Sequence, residues 1–194
     1  MLGVPLPLTS DAVLDAAVHP DGPLLLWNHR WEHDKNPQTC LLGLVELASE
    51  GVPFRVAVCG QRFSRVPPVF AETEAALQAR AIQWGPADAS TYRELLDRAD
   101  VVLSTAHHEF FGVSVMEAVH HGARPLVPDR LAYRELWPEV FRYGDDAGFV
   151  PALRELLASG APLRADRRDL TTPYSSPLLI PRFEALFEEL VSKA

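Results

Sequence analysis

A short apolar run, a polar break carrying glycine or proline, and then a helical pattern recur along these 194 residues, and that recurrence constrains the fold more than any other property. The runs fall at 24–27 (LLLW), 54–59, 81–84, 101–105, 124–127 and 140–143, each of buried-strand length. Helical patterns lie between and beyond them at 37–50, 68–80, 90–98, 113–121, 147–158 and 178–192. Asn36 and Pro37 suit the start of the first helix and Gly51 its stop. Strands separated by helices must be joined by crossovers, so the expected fold is α/β, a doubly wound parallel sheet with helices on both faces. One ordered domain is expected over 24–194. Residues 1–23 hold Pro5, Pro7, Pro20 and Pro23 and read as an arm or interdomain linker outside the core, with room for a short helix over 11–18.

Charge and composition remove several classes of function. With 18 Lys plus Arg against 26 Asp plus Glu, the chain carries a formal charge of −8, a poor basis for binding nucleic acid by itself. The sequence shows neither a run of membrane-spanning length nor the pattern of a signal peptide, so a soluble, cytoplasmic protein is expected. Cys40 and Cys59 fall in a predicted helix and strand and are expected as reduced packing residues. No G-x-G-x-x-G, P-loop or G-x-S-x-G motif occurs. His29 and His33 do not form H-E-x-x-H and sit in a predicted loop, so no metal site is expected. His107, beside the predicted loop, is a candidate for lining a pocket.

Chemistry concentrates after the 101–105 strand, in AHHEFFGVSVMEAVHHG. Glu109 lies in the loop and Glu117 one turn into the following helix. Between them Gly112 removes a side chain where backbone N–H groups converge, a setting in which a phosphate can rest against the helix dipole. Glu117 has a second reading, because Ser114-Val115-Met116-Glu117 fits a capping box in which the acid serves only the helix end. Arg30 and Lys35 bracket the loop after the first strand. They read either as a diphosphate clamp or as solvated surface charge.

Glu109-Phe110-Phe111-Gly112-Val113-Ser114-Val115-Met116-Glu117-Ala118 resembles the E-F-G-[apolar]-x-x-x-E-A element of retaining, nucleotide-sugar-dependent glycosyltransferases of the GT-B fold. Arg30 and Lys35 match the R-x-x-x-x-K clamp of the same family, in the same chain order. WNHRWEHDKNP, ADVVLSTAHHEFFGVSVMEAV and PLVPDRLAYRELWP narrow the resemblance to the carboxyl-terminal domain of tRNA-queuosine α-mannosyltransferase-like proteins.

The resemblance implies a Rossmann-like half of a GT-B enzyme that holds a nucleotide-diphosphate sugar, with GDP-mannose the expected donor and queuosine in tRNA the acceptor. It implies donor contacts from Arg30, Lys35, Trp84, Gly85, Glu109, Phe110, Phe111, Gly112, Val113 and Glu117. Arg30, Lys35 and Glu109 would carry the catalysis and no metal or other cofactor would be needed. In the family the first acid faces the sugar, the second binds the ribose, and the backbone near residues 84–86 is expected to meet the base. The acceptor domain of such an enzyme has no counterpart in this sequence, so tRNA is expected to engage through a missing amino-terminal domain. The alternative is a non-catalytic nucleotide or nucleotide-sugar binding module.

Overall fold

The computed structural model describes residues 3–9, 19–63 and 65–193; the helix expected over 11–18 lies outside the described residues. Six strands form one sheet: β1 (Leu24–Trp27), β2 (Arg55–Cys59), β3 (Ala81–Gly85), β4 (Val101–Leu103), β5 (Arg124–Pro128) and β6 (Arg142–Tyr143). Their order is β3-β2-β1-β4-β5-β6, and every neighbouring pair is parallel. The expected doubly wound sheet is therefore the observed one. Its strand order reverses between β1 and β4, and at such a point the exit loops of two adjacent strands diverge and open a crevice.

The helices are α1 (Pro37–Ser49), α2 (Val69–Leu77), α3 (Ala89–Arg98), α4 (Val113–His120), α5 (Tyr133–Leu136), α6 (Phe149–Ala158), α7 (Arg168–Thr171) and α8 (Ser176–Ser192). Side-chain alternation along the strands divides the core into two layers. Leu24, Leu26, Ala57, Cys59 and Val102 meet Val115, Met116 and Val119 of α4 on one face. Leu25, Trp27, Val56, Val58, Val101 and Leu103 meet Leu41, Leu44, Phe70 and Phe149 on the other. β1 and β4, buried on both faces, read as continuously apolar, whereas the edge strand β3 keeps Gln83 and an exposed Ile82. Cys40 and Cys59 are buried thiols within this packing, and burial pushes the Cys59 thiol up to about 12.

Three expectations need correction. The fourth strand ends at Leu103, because Ser104 and Thr105 turn their hydroxyls to neighbouring loops: Thr105 Oγ1 donates towards the carbonyls of Lys35 (3.1 Å) and Asn36 (2.8 Å). The sixth strand is only two residues long, since Glu139–Phe141 forms a 3-10 turn after Pro138 and leaves Val140 67% exposed. Within the stretch read as an arm, the described residues 3–9 reach the core. Leu6 is buried; its N–H donates to Tyr174 O (3.0 Å) and its carbonyl accepts from Ser176 N–H (2.8 Å).

The carboxyl-terminal segment also secures α4. Arg164, buried, donates to the carbonyls of Ala99 (2.5 Å) and His121 (2.9 Å), and Arg167 to that of Gly122 (3.0 Å). Two guanidinium groups at the carboxyl end of α4 satisfy orphan carbonyls and complement the negative end of the helix dipole.

Candidate functional site

At the β1/β4 switch point the two exit loops are joined into one structure. The loop after β1 passes through Asn28 and His29, makes a 3-10 turn at His33–Lys35, and enters α1 through Asn36 in the left-handed region (φ 46°). The loop after β4 runs beside it, with His107 N–H on Asp34 O at 2.8 Å. Gly60, at the exit of β2, allows a further close approach: a Cβ there would lie 1.8 Å from His29 O.

Lys35 and Glu109 lie together at the centre of this structure. Lys35 is 7% exposed, and its Nζ donates to His108 O (2.8 Å) and Glu109 Oε2 (3.2 Å), with Asp34 Oδ2 at 3.3 Å. The other oxygen of Glu109 accepts from the N–H groups of Phe110 (3.1 Å), Phe111 (3.4 Å) and Gly112 (3.0 Å). Burial alone would raise the Glu109 pKa, but Lys35, His29 and the Gly112 N–H together outweigh it and hold the carboxyl below its usual range. Lys35 is therefore no solvated surface cation.

Gly112 caps α4 with φ 75°, and a Cβ there would stand 2.8 Å from the ring of Tyr133. The first intrahelical bond runs from Met116 N–H to Gly112 O (2.9 Å), so the N–H groups of Val113, Ser114 and Val115 point out of the helix start. The N–H groups of Phe110, Phe111 and Gly112 hold the Glu109 carboxylate, so of the helix start expected to meet a phosphate, Gly112 onwards, the Gly112 N–H is already engaged.

The capping box does not form. Gly112, rather than Ser114, is the N-cap, and Glu117 Oε2 accepts from Tyr92 Oη at 2.8 Å. Tyr92 Oη in turn accepts from Asn28 Nδ2 (3.0 Å), which also donates to Ser114 O (2.9 Å). Glu117 thus belongs to a chain of side chains linking β1, α3 and α4. His29 joins the same elements. Its Nε2 lies 3.1 Å from Leu103 O, which can only accept, so Nε2 carries the proton and Nδ1 faces Ser114 Oγ at 3.4 Å. Burial is the main cause that lowers the His29 pKa to about 4, so the ring is neutral at pH 7.

Arg30 stands apart from Lys35. Its side chain is 53% exposed and pairs with Glu32 at 3.1 Å, and it lines a cavity of about 320 Å³ with Asn28, His29, Gly60, Gln61, Pro86, Ala87 and Tyr92. Pro86 and Ala87 of the β3 exit reach this cavity. Trp84 does not line it; the indole packs edge-on to Trp31 at 6.2 Å, and Gly85 (φ 108°) sits against Arg62. Glu117 borders a neighbouring cavity of about 200 Å³ that shares Tyr92. Phe110 is 97% exposed at the loop tip and Val113 39% exposed, whereas Phe111 is buried against Tyr174.

Sequence reasoning missed Asn28, His29, Tyr92 and Asp146. Asp146 ties three exit loops together, with Arg130 at 2.5 Å, His107 Nε2 at 2.9 Å and Asn36 Nδ2 at 3.1 Å. His107, expected to line a pocket, is thus paired with Asp146. An Asn-His pair directly after a buried strand was the available signal for the first two; nothing local marks Asp146. Among the described residues no group of three or more His, Cys, Asp or Glu is placed to hold a metal ion.

Comparison with known proteins agrees with the resemblance read from sequence. No family model matches the chain. Over 173 residues it is 30% identical to the tRNA-queuosine alpha-mannosyltransferase of Drosophila melanogaster, covering 87% of this chain and 46% of that protein. The chain therefore spans about half the length of that relative. Among solved structures, the sucrose-phosphate synthase of Thermosynechococcus elongatus superposes with a TM-score of 0.76 at 17% identity, over 100% of this chain and 51% of that one. The pneumococcal O-GlcNAc transferase GtfA, solved with UDP and GlcNAc, gives 0.72 at 16%, over 97% and 38%.

Proposed function

We propose that this chain, which has the fold of one half of a GT-B glycosyltransferase and resembles tRNA-queuosine α-mannosyltransferase, is the donor-binding domain of a retaining glycosyltransferase. The observation that carries the proposal is the placement of Lys35, Glu109 and the Gly112-led start of α4 together at the switch point of the sheet. Two cavities that share Tyr92 adjoin the exit loops and α4, one lined by Arg30 and His29 and the other by Glu117.

The chemistry follows from charge development. As the bond between the sugar and the diphosphate breaks, negative charge grows on the leaving phosphate. The buried Lys35 charge and the outward N–H groups of Val113, Ser114 and Val115 are held in place to stabilise it, Arg30 adds an exposed cation from the rim, and in this reading no metal ion takes part. Removing one such donor from a catalytic site costs roughly 3 kcal/mol of barrier. Glu109, already ionised and held by Lys35, has lone pairs left to accept sugar hydroxyls. Glu117, fixed by Tyr92, accepts ribose hydroxyls, and the cavity beside Pro86 and Ala87 receives the base. Likeness to the mannosyltransferase supports GDP-mannose as donor and queuosine in tRNA as acceptor, the acceptor being bound by a partner domain.

A thermal-shift series with GDP, UDP, ADP and their sugars tests the assignment. GDP and GDP-mannose should raise the melting temperature, and Arg30→Ala should reduce the shift without lowering the ligand-free value. An identical absence of shift for every nucleotide would overturn the donor-domain reading. Tight binding with no transfer in the presence of an acceptor domain would assign a non-catalytic binding module instead.

A further inference from the structure

We infer that the loop after β2 forms a contact surface for single-stranded RNA at the rim of the donor crevice, an inference that rests on the donor-domain reading for its choice of polyanion. The loop is placed by backbone bonds to the β1 exit: Trp31 N–H donates to Gln61 O at 2.9 Å, and Trp31 and Arg62 form a parallel bridge. Within it Arg62, Phe63 and Arg65 are exposed, Phe63 by 46%. Arg62 is ordered by stacking. Its guanidinium lies 4.4 Å from the Trp31 ring centroid, while Trp31 is stacked on Phe70 with centroids 3.8 Å apart and 4° between planes. Arg30 stands 5.8 Å from the Phe63 ring and joins the loop to the cavity mouth.

On a chain with a formal charge of −8 this is a local exception. Arg30 pairs with Glu32, but among the described residues no carboxylate lies within ion-pair distance of Arg62 or Arg65. Arg62, Phe63 and Arg65 do not line the donor cavity, to which this neighbourhood gives Gly60, Gln61 and Arg30. Exposed guanidinium groups interleaved with an accessible aromatic ring suit a strand whose phosphates are neutralised and whose unstacked bases find a ring to stack on. An acidic protein surface would use the charges and leave Phe63 without a role. Two or three cations neutralise few phosphates, so binding by this surface is weak and depends strongly on salt.

The test compares wild-type chain with the Arg62→Gln/Arg65→Gln double variant and with Phe63→Ser, using an unstructured oligoribonucleotide as probe, across a range of salt. The double variant should flatten the slope of log affinity against log salt by about 1.4, at about 0.7 per phosphate on a single strand. Phe63→Ser should weaken binding roughly fivefold or more, with the slope kept. The GDP-induced thermal shift should be the same in all three proteins. Unchanged affinity and slope, or wild-type protein that does not bind the probe, would overturn the inference. So would a lost GDP shift in the double variant, which would assign the loop to the donor site, or competition by poly-glutamate as effective as by RNA. Patch-dependent RNA binding in a protein that shows no GDP shift would support the surface while sinking the donor-domain reading.

Discussion

Replacing Lys35 by Met removes a cation that donates to His108 O and Glu109 Oε2 and lies 3.3 Å from Asp34 Oδ2, and leaves the Glu109 carboxylate, only 15% exposed, without its counter-ion. Breaking a fully buried pair by removing one partner costs about 3 to 5 kcal/mol. Here one carboxylate oxygen keeps three backbone N–H donors, which lowers the expected loss to about 3 kcal/mol. Glu109→Gln keeps an acceptor for those N–H groups but places an amide donor beside the Lys35 ammonium, so about 2 kcal/mol is expected. In the double variant neither charge is stranded. Lys35→Met/Glu109→Gln should therefore be more stable than the sum of the single effects by at least about 1 kcal/mol. Urea unfolding at pH 7 of the four proteins gives the cycle directly. Additivity within about 0.5 kcal/mol, the behaviour of sites that do not interact, would refute the claim that the pair forms the electrostatic centre of the crevice.

Three further outcomes follow from the same geometry. The His29 pKa is lowered from 6.5 to about 4 on folding, so the unfolded chain takes up that proton first as pH falls; stability should drop across this window, by about 2 kcal/mol between pH 7 and 5, and His29→Gln should remove most of that slope in unfolding titrations while the part from His120, also lowered mainly by burial, remains. Tyr92→Phe should cost about 1 kcal/mol of stability and Glu117→Gln little; both should weaken nucleoside diphosphate binding by calorimetry, and unchanged affinity in both would leave Glu117 a purely structural acid. Incubated with GDP-mannose and queuosine-containing tRNA, the chain alone should give no mass gain on the nucleoside, because the donor face of a lone domain is open to water; robust transfer would contradict the division of labour proposed here.

Local pattern was enough for the doubly wound sheet and for the strand-loop-helix unit that carries Glu109, Gly112 and Glu117. The order of the strands, which sets that unit beside β1 at the switch point, is visible only in the structure. What could not be read were partners chosen across the chain. Tyr92 meets Asn28 across 64 positions, and Asp146 meets Asn36 across 110, with no periodicity to announce either. The capping box failed for a related reason. Ser114 and Glu117 have the right spacing, but Gly112 starts the helix two residues earlier, and spacing alone does not fix which residue is the cap. Arg30 and Lys35, equivalent in sequence as two cations of one loop, differ because the 3-10 turn at His33–Lys35 carries only the second inward.

The bridge between Leu6 and Ser175 sets a temporal order on the molecule. Joining residues so far apart in sequence closes almost the whole chain into one loop, and the entropy of that closure is recovered only after the intervening sheet has drawn the two ends together. On a ribosome, β1 to β5 can assemble while Tyr174 and Ser176 are still unsynthesised, leaving Leu6 in water and the carbonyls of His121 and Gly122, just past α4, without Arg164 and Arg167. Docking of the Leu6 segment is thus a late event, and the nascent domain passes through a stage in which its sheet is formed and its carboxyl-terminal clasp is open.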